Sequence, residues 1–379
     1  MSSRKRVRRA PRSSSPRSAP RPSQPPPDDE VVVKLGGPGD LVASLPSMLG
    51  FVPEESVIAV AMHRRGARSR VGGMARIDLV AAADAPERAE IDRVLTDAIV
   101  QRLGPAVPDS LVVVVVSEAD PVGRPPHGGL VDALTEAFAA IGVPVTSAVW
   151  TARVAAGALW RCYDDCGCTG VLADPTGTLA AAETAATGRV TYGSRAEVDA
   201  SLAPDPAAGA RRRRELVDDA HQAALTDREL SGLAAARRDL DAVRHAAAEV
   251  GRGVVLTEDE IARLAVALCD PRVRDVCLGF AAGHDDAVDP DHAWQLWTLL
   301  MRAVPAPEVA EPATLLAFAT LDHGGGATLT TALVRAMDAD PGHQLSRLLG
   351  SIVAAGMDPA DVREMVAGAS AEAGARLAA

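Results

Sequence analysis

The sequence predicts an α/β region with a mixed or mostly parallel sheet and flanking helices, followed by an all-helical half. Three observations lead there. Strand-type runs alternate with helical periodicity between Val31 and about Tyr192. No convincing strand pattern follows Ser194. Helix-start signals recur from that point to the C-terminus. The expected boundaries are a tail at 1–29, an α/β domain at 30–202, a linker at 203–214 and a helical domain at 215–379.

The tail holds eight basic residues and no acid before Asp28, in a setting of Ser and Pro. It has too little apolar surface to offset ordering entropy and is expected to be disordered. It is also the only part expected to touch nucleic acid. The rest of the chain carries 31 basic against 50 acidic residues, a balance that repels phosphate backbones.

From Val31 the elements follow in order. VVVKL (31–35) reads as a strand, then Gly36-Gly37-Pro38-Gly39-Asp40 opens a helix. Pro38 suits a first helical position, with Gly37 as cap and Asp40 in the first turn. Pro46 is expected to end or kink that helix. SVIAVAMH (56–63) and VGGMARIDLV (71–80) read as paired strands across a turn at 64–69. Residues 86–103 and 128–141 have helical periodicity. LVVVVVSE (111–118) is a continuous apolar run, as in a strand covered on both faces. Strands are also expected at 143–153 and 158–163.

In the helical half, Ser194 with Glu197, Thr226 with Glu229, and Thr257 with Glu260 have capping-box spacing. Asp289-Pro290 and Asp358-Pro359 give cap-plus-proline starts. Seven or eight helices are expected. Residues 313–322 and 328–338, joined by Gly324–Gly326 and closed by Pro341, resemble one tetratricopeptide-type hairpin through Ala317 and Ala336. A solenoid needs about three such units, and one is visible.

Composition bounds the remaining choices. The 379 residues are 47% hydrophobic but only 3% aromatic, so the core must be built from Ala, Val and Leu. Asn is absent and Lys occurs twice against 37 Arg, a signature of GC-rich coding. No apolar run of membrane-spanning length and no signal-peptide pattern is present, and five cysteines suit a reducing cytoplasm.

PSMLGFVPEESVIAV (46–60) resembles the opening of an uncharacterised actinobacterial family catalogued as domain of unknown function 4192. RIDL (76–79), LVVVVV (111–116), WRCYDDCGC (160–168), LCDPRVRD (268–275), the Trp294/Trp297 pair and 335–359 carry the likeness onward. It covers nearly everything after the tail. It implies a bacterial cytoplasmic protein and names no activity. One departure lies at Cys166, where the family pattern has adjacent cysteines and Gly167 intervenes here.

The densest group of chemically capable residues is Trp160, Cys162, Tyr163, Asp164, Asp165, Cys166 and Cys168. Cys162, Cys166 and Cys168 are candidate ligands for zinc or another soft metal, or a redox group. The spacing C-x3-C-x-C is not a standard zinc spacing, and no His lies within about 30 residues on either side to close the coordination. Trp160, Tyr163, Asp164 and Asp165 are candidate ligand contacts. Trp294 and Trp297, with Leu300 and Met301 on one helical face, are candidates to line a peptide groove, or else core. The turn at Gly36–Gly39 can receive phosphate, but it lacks P-loop and dinucleotide spacing. His284, Asp285, Asp286, Asp289, Asp291 and His292 can form a cation site, although Asp289 and Asp291 are explained as a helix cap and first-turn acid. No H-E-x-x-H or G-x-S-x-G occurs. His63, His127 and His323 have no sequence neighbour that makes a triad. The expected function is a ligand-sensing or protein-interaction adaptor, with the partner bound through the helical half. The alternative is an enzyme or metal protein centred on 160–168.

Overall fold

The computed structural model describes residues 36–379 apart from 66–67, 82–83, 105–106, 119–122, 165, 187–188, 207–208, 281–282, 322–325, 356 and 358. The basic tail, the strand expected at 31–35, Asp165, Gly324, Gly325 and Asp358 therefore lie outside the described residues.

The first helix, α1 (Pro38–Leu49), starts as expected, with Gly37 as cap and Asp40 in the first turn. It does not end at Pro46. The helix continues to Leu49 and stops at Gly50, whose φ of 82° is the left-handed C-cap conformation. Pro46 removes one backbone donor, but Leu41, Val42, Leu45 and Leu49 bury a full apolar face that holds the helix together.

Six strands form one sheet: β1 (Ser56–Arg65), β2 (Arg68–Asp78), β3 (Ser110–Val116), β4 (Val145–Thr151), β5 (Leu159–Cys162) and β6 (Thr169–Val171). Their order is β2-β1-β3-β4-β5-β6. The sheet is mixed, the first of the two arrangements the sequence allows. Only β3 and β4 pair in parallel; the other four pairings are antiparallel. The reason is that β1 returns through the β2 hairpin and then lies against β3. The passages from β2 to β3 and from β3 to β4 are both helical crossovers, but the first skips over β1, so only the second joins neighbouring strands.

Side chains alternate across this sheet. Val57, Ala59, Val113, Val115 and Trp150 face α2 (Ala85–Leu103) and α3 (Gly128–Ala140), meeting Leu95, Ile99, Leu130, Leu134 and Phe138. Ile58, Val60, Val112 and Val114 face the other way, onto Leu41, Val42 and Leu45. That second core runs on without a break into the helices, through Leu240, Leu268, Trp297 and Leu316. Leu35–Ala379 form one compact unit.

After α4 (Leu179–Ala186) and α5 (Arg195–Ser201) come α6 (Ala210–Ser231), α7 (Leu233–Gly251), α8 (Glu258–Leu268), α9 (Pro271–Cys277) and α10 (Pro290–Ala303). Then follow α11 (Ala310–Leu321), α12 (Gly326–Ala339), α13 (Gln344–Ala354) and α14 (Pro359–Ala378). From Ser194 onward the described residues thus hold ten helices, more than the seven or eight expected. Arg211–Arg214, expected in a linker, begin α6 instead. Arg214 is held there by Asp218 and Glu308 at 2.8 and 2.6 Å. Thr226 is no helix start; it lies inside α6 and its hydroxyl donates back to the Gln222 carbonyl. Thr257 with Glu260 is a complete capping box, and Asp289 caps α10. α11 is buried along Ala310–Thr320 and packs beside α12, so it forms the centre of the helical half.

Candidate functional site

The parallel pair β3–β4 ends at Val116 and Thr151, and α3 begins at Gly128. In α/β sheets, ligands gather outside such carboxyl ends. Here the chain places Glu55, Arg88, Asp92, Ser117, His127 and Tyr163 together.

Glu55 precedes β1 and has φ 31°, in the left-handed region that side chains rarely adopt. Its carboxylate accepts from the Ser117 hydroxyl at 3.0 Å and from the Glu118 N–H at 2.6 Å. It thereby fixes the turn that leaves β3. Trp150 donates its indole N–H to the Ser117 carbonyl at 3.2 Å. Tyr163 is buried, and its hydroxyl donates to the Pro126 carbonyl at 2.6 Å. That bond pins the residue before His127. Burial pushes the Tyr163 phenol well above its ordinary range, so it acts as a donor.

His127 caps α3 with φ 60°, again left-handed. Arg88 Nη1 lies 3.5 Å from His127 Nδ1. A guanidinium only donates, so Nδ1 accepts and the neutral ring carries its proton on Nε2. Burial, followed by the adjacent Arg88 charge, depresses the His127 pKa and keeps the ring neutral. Arg88 also donates to the Val80 carbonyl at 3.1 Å.

Asp92 lies on the apolar row of α2 formed with Leu95, Ile99 and Leu103. It is only 8% exposed, and its Oδ1 is buried without a hydrogen-bond partner. Its carboxyl faces Gly129, where an added Cβ would approach Oδ2 to 3.3 Å. Burial raises its pKa, with Arg88 and His127 offsetting part of the rise. One turn along, Thr96 also buries an unpartnered hydroxyl. A buried acceptor left unpaired costs about 1–3 kcal/mol. Asp92 therefore faces a neutral imidazole, a guanidinium and the N-terminal turn of α3, with one acceptor unused.

Sequence reasoning found Tyr163 but missed Glu55, Arg88, Asp92 and His127 as a group. The usable signal was a charged residue on an apolar helical stripe, together with His127-Gly128-Gly129 after a central strand.

The other expected candidates lie elsewhere. Trp160 packs its indole between Gly39 and Gly170; a Cβ at either would come within 2.7 Å of Nε1. The Gly-rich turn thus serves as a seat for Trp160, and its Gly36 N–H is taken by Asp40 at 2.7 Å. Cys162 is half-buried and donates to exposed Asp164 at 3.2 Å. Cys166 and Cys168 are exposed. All five cysteines are free thiols. Among the described residues, no three His, Cys, Asp or Glu side chains are arranged to hold a metal ion. This covers the expected zinc ligands Cys162, Cys166 and Cys168 and the described members of the His284–His292 patch. In that patch, Asp285 is bound by Arg244 at 2.7 Å and Asp289 caps a helix.

Trp297 takes the second of its two expected places, the core: it is fully buried and stacked on Phe280 at 6.2 Å. The volume of its ring fills the space between α10 and the 278–280 turn. Trp294 is half-buried against the same core. Among the described residues no helix is long and apolar enough to cross a membrane.

No curated protein and no solved structure matches the chain. Residues 38–360, from α1 into α14, match the model of the family described as a domain of unknown function, DUF4192, and the chain belongs to that family.

Proposed function

We propose that the protein is a cytoplasmic ligand-sensing adaptor whose ligand binds against Asp92 and His127 at the carboxyl end of β3. The observation that carries this reading is the buried, unpartnered Oδ1 of Asp92. Two further features support it. Glu55 and His127, two of the three non-glycine residues with positive φ among those described, both flank the site. Such strain gathers at binding and catalytic positions. The site also pairs an acceptor with a cation: Asp92 Oδ1 beside Arg88 and the α3 N-terminus, whose first N–H groups favour an anion. The complement is a small molecule with a donor next to an anion, that is, a 2-amino or 2-hydroxy acid. The helical half passes the bound state to a protein partner.

The test is a melting measurement on the full chain with a panel of amino acids and a panel of 2-hydroxy acids. A binder present at a hundred times its Kd stabilises by about 2.7 kcal/mol. We expect one panel to contain a compound that raises the melting temperature, and Asp92→Asn to abolish the rise. No shift from either panel, or an equal shift in the variant, overturns the reading.

A further inference from the structure

The cysteines near the sheet edge are a second, separate centre. β5 and β6 pair Leu159 with Val171, Trp160 with Gly170 and Arg161 with Thr169. The same register, carried one step further, sets Cys162 opposite Cys168, and the Cys162 N–H donates to the Cys168 carbonyl at 2.9 Å. The hairpin therefore delivers Cys166 and Cys168 to its tip. Gly167 between them has φ 65°, a left-handed turn that folds the chain back on itself. As a result the Cys168 N–H donates to Cys166 Sγ at 3.3 Å. Both thiols are exposed, whereas Cys277 is buried and Cys269 is half-buried.

We propose that Cys166 and Cys168 form a hydroperoxide-responsive thiol switch, with Cys166 as the reacting thiol and Cys168 as the resolving one. Three observations converge on Cys166. It is exposed at a turn tip. It receives a backbone N–H on sulfur, a contact that favours the anion. Hydrogen bonding from the Cys168 thiol holds its pKa below the ordinary cysteine value, while Cys168 is raised in return and burial lifts Cys162 to about 12. The thiolate is the nucleophile, so oxidation starts at Cys166.

The chemistry balances in two steps. The Cys166 thiolate attacks the outer oxygen of ROOH; an S–O bond forms, the O–O bond breaks, and alkoxide leaves to be protonated by water. Sulfur is oxidised by two electrons and the peroxide is reduced by two. Cys168 sulfur then attacks the sulfenic sulfur; an S–S bond forms, the S–O bond breaks, and hydroxide leaves with the Cys168 proton as water.

The test uses the full-length protein, treated with one equivalent of hydrogen peroxide after reduction and desalting. Free thiols, intact mass and dimedone labelling are followed. We expect two thiols to disappear with loss of two hydrogens in mass, no intermolecular species, and full recovery on reduction. Cys162→Ser should behave like the parent. Cys168→Ser should stop at a dimedone adduct on Cys166. Cys166→Ser should lose thiols slower by about tenfold or more. The Cys166 and Cys168 changes are at exposed positions and the Cys162 change at a half-buried one, and unchanged melting temperatures verify the fold. Unslowed thiol loss in Cys166→Ser, a disulfide that requires Cys162, or a covalent dimer as the main product overturns the assignment.

Discussion

Glu308 in the helical half and Asp92 in the sheet half are buried to the same degree, 7% and 8% exposed, yet they are treated oppositely. Glu308 receives two hydrogen bonds from Arg214, at 2.6 and 3.0 Å, and lies 2.9 Å from His221 Nε2. Burial alone would raise its pKa, but the contacts with Arg214, a backbone N–H and His221 together hold the carboxyl below its ordinary value. Asp92 has two cationic or imidazole neighbours and still carries a raised pKa and an unused oxygen. The lesson is that a buried carboxylate is not by itself a site. Where its lone pairs are filled, it joins helices; where one is left, the fold carries a cost that a ligand can remove.

The comparison breaks most visibly through Glu308. Glu308→Ala strands Arg214, which keeps only Asp218 and the Ala306 carbonyl. Removing one partner of a buried pair costs several kcal/mol; Arg214 is 31% exposed, which lowers the figure to about 2 kcal/mol. The sign with pH follows from the depressed pKa. The stabilisation is complete above the ordinary value of 4.5 and is lost as pH falls through the lower folded value. Denaturant midpoints of parent and variant should therefore converge in acid. Parallel curves down to pH 3 would show that charge is not what holds Glu308.

Asp92→Asn should act in the opposite direction. A raised folded pKa means that the native state favours the proton, so ionisation costs stability as pH rises above the unfolded value of 3.8. The neutral isostere avoids that cost, and a gain of roughly 1 kcal/mol is expected at neutral pH, vanishing below pH 3.8. Destabilisation at neutral pH would make Asp92 a structural partner of Arg88, and the contrast with Glu308 would disappear.

The contrast was not legible in the sequence, though much around it was. The run Leu111–Val116 announced a strand covered on both faces, because every residue in it is apolar and β-compatible. The complete cap at Thr257 and the start at Asp289 were readable because capping is local. Thr226 with Glu229 has the same spacing and lies mid-helix, because its preceding residues were helical already. Strand order escaped because β1 chooses β3 through a long-range pairing that no local pattern encodes. β6 escaped because Thr169-Gly170-Val171 is too short to show alternation. The site escaped for the same reason as strand order. Asp92 and His127 meet only because α2 and α3 pack on one sheet face, with 34 residues between them. Tyr163 was found for its place in a conspicuous stretch, and its role came from the Pro126 contact.

Tyr163→Phe sharpens the comparison by separating scaffold from ligand contact. The change deletes one buried hydrogen bond of 2.6 Å and keeps the ring. It should cost about 1 kcal/mol. Because the bond pins Pro126 beside His127, any ligand response should weaken in this variant without vanishing, whereas Asp92→Asn removes it. A complete loss in Tyr163→Phe would move the phenol from support to contact.

The smallest expected effect is at His127, and it tests whether strain is kept for a purpose. At φ 60° a histidine pays for a conformation that glycine adopts freely. His127→Gly should therefore stabilise by roughly 0.5–1 kcal/mol at pH 8, where the ring is neutral in both folded and unfolded chains. The gain should grow as pH falls through 6.5. The folded ring has a lowered pKa, so protonation favours the unfolded chain and the parent loses stability there, while the glycine variant does not. Equilibrium unfolding at pH 8 and pH 5.5 measures both quantities. A loss of stability at pH 8 would mean that the 3.5 Å contact with Arg88 outweighs the backbone strain, and that His127 is held for structure as Glu308 is.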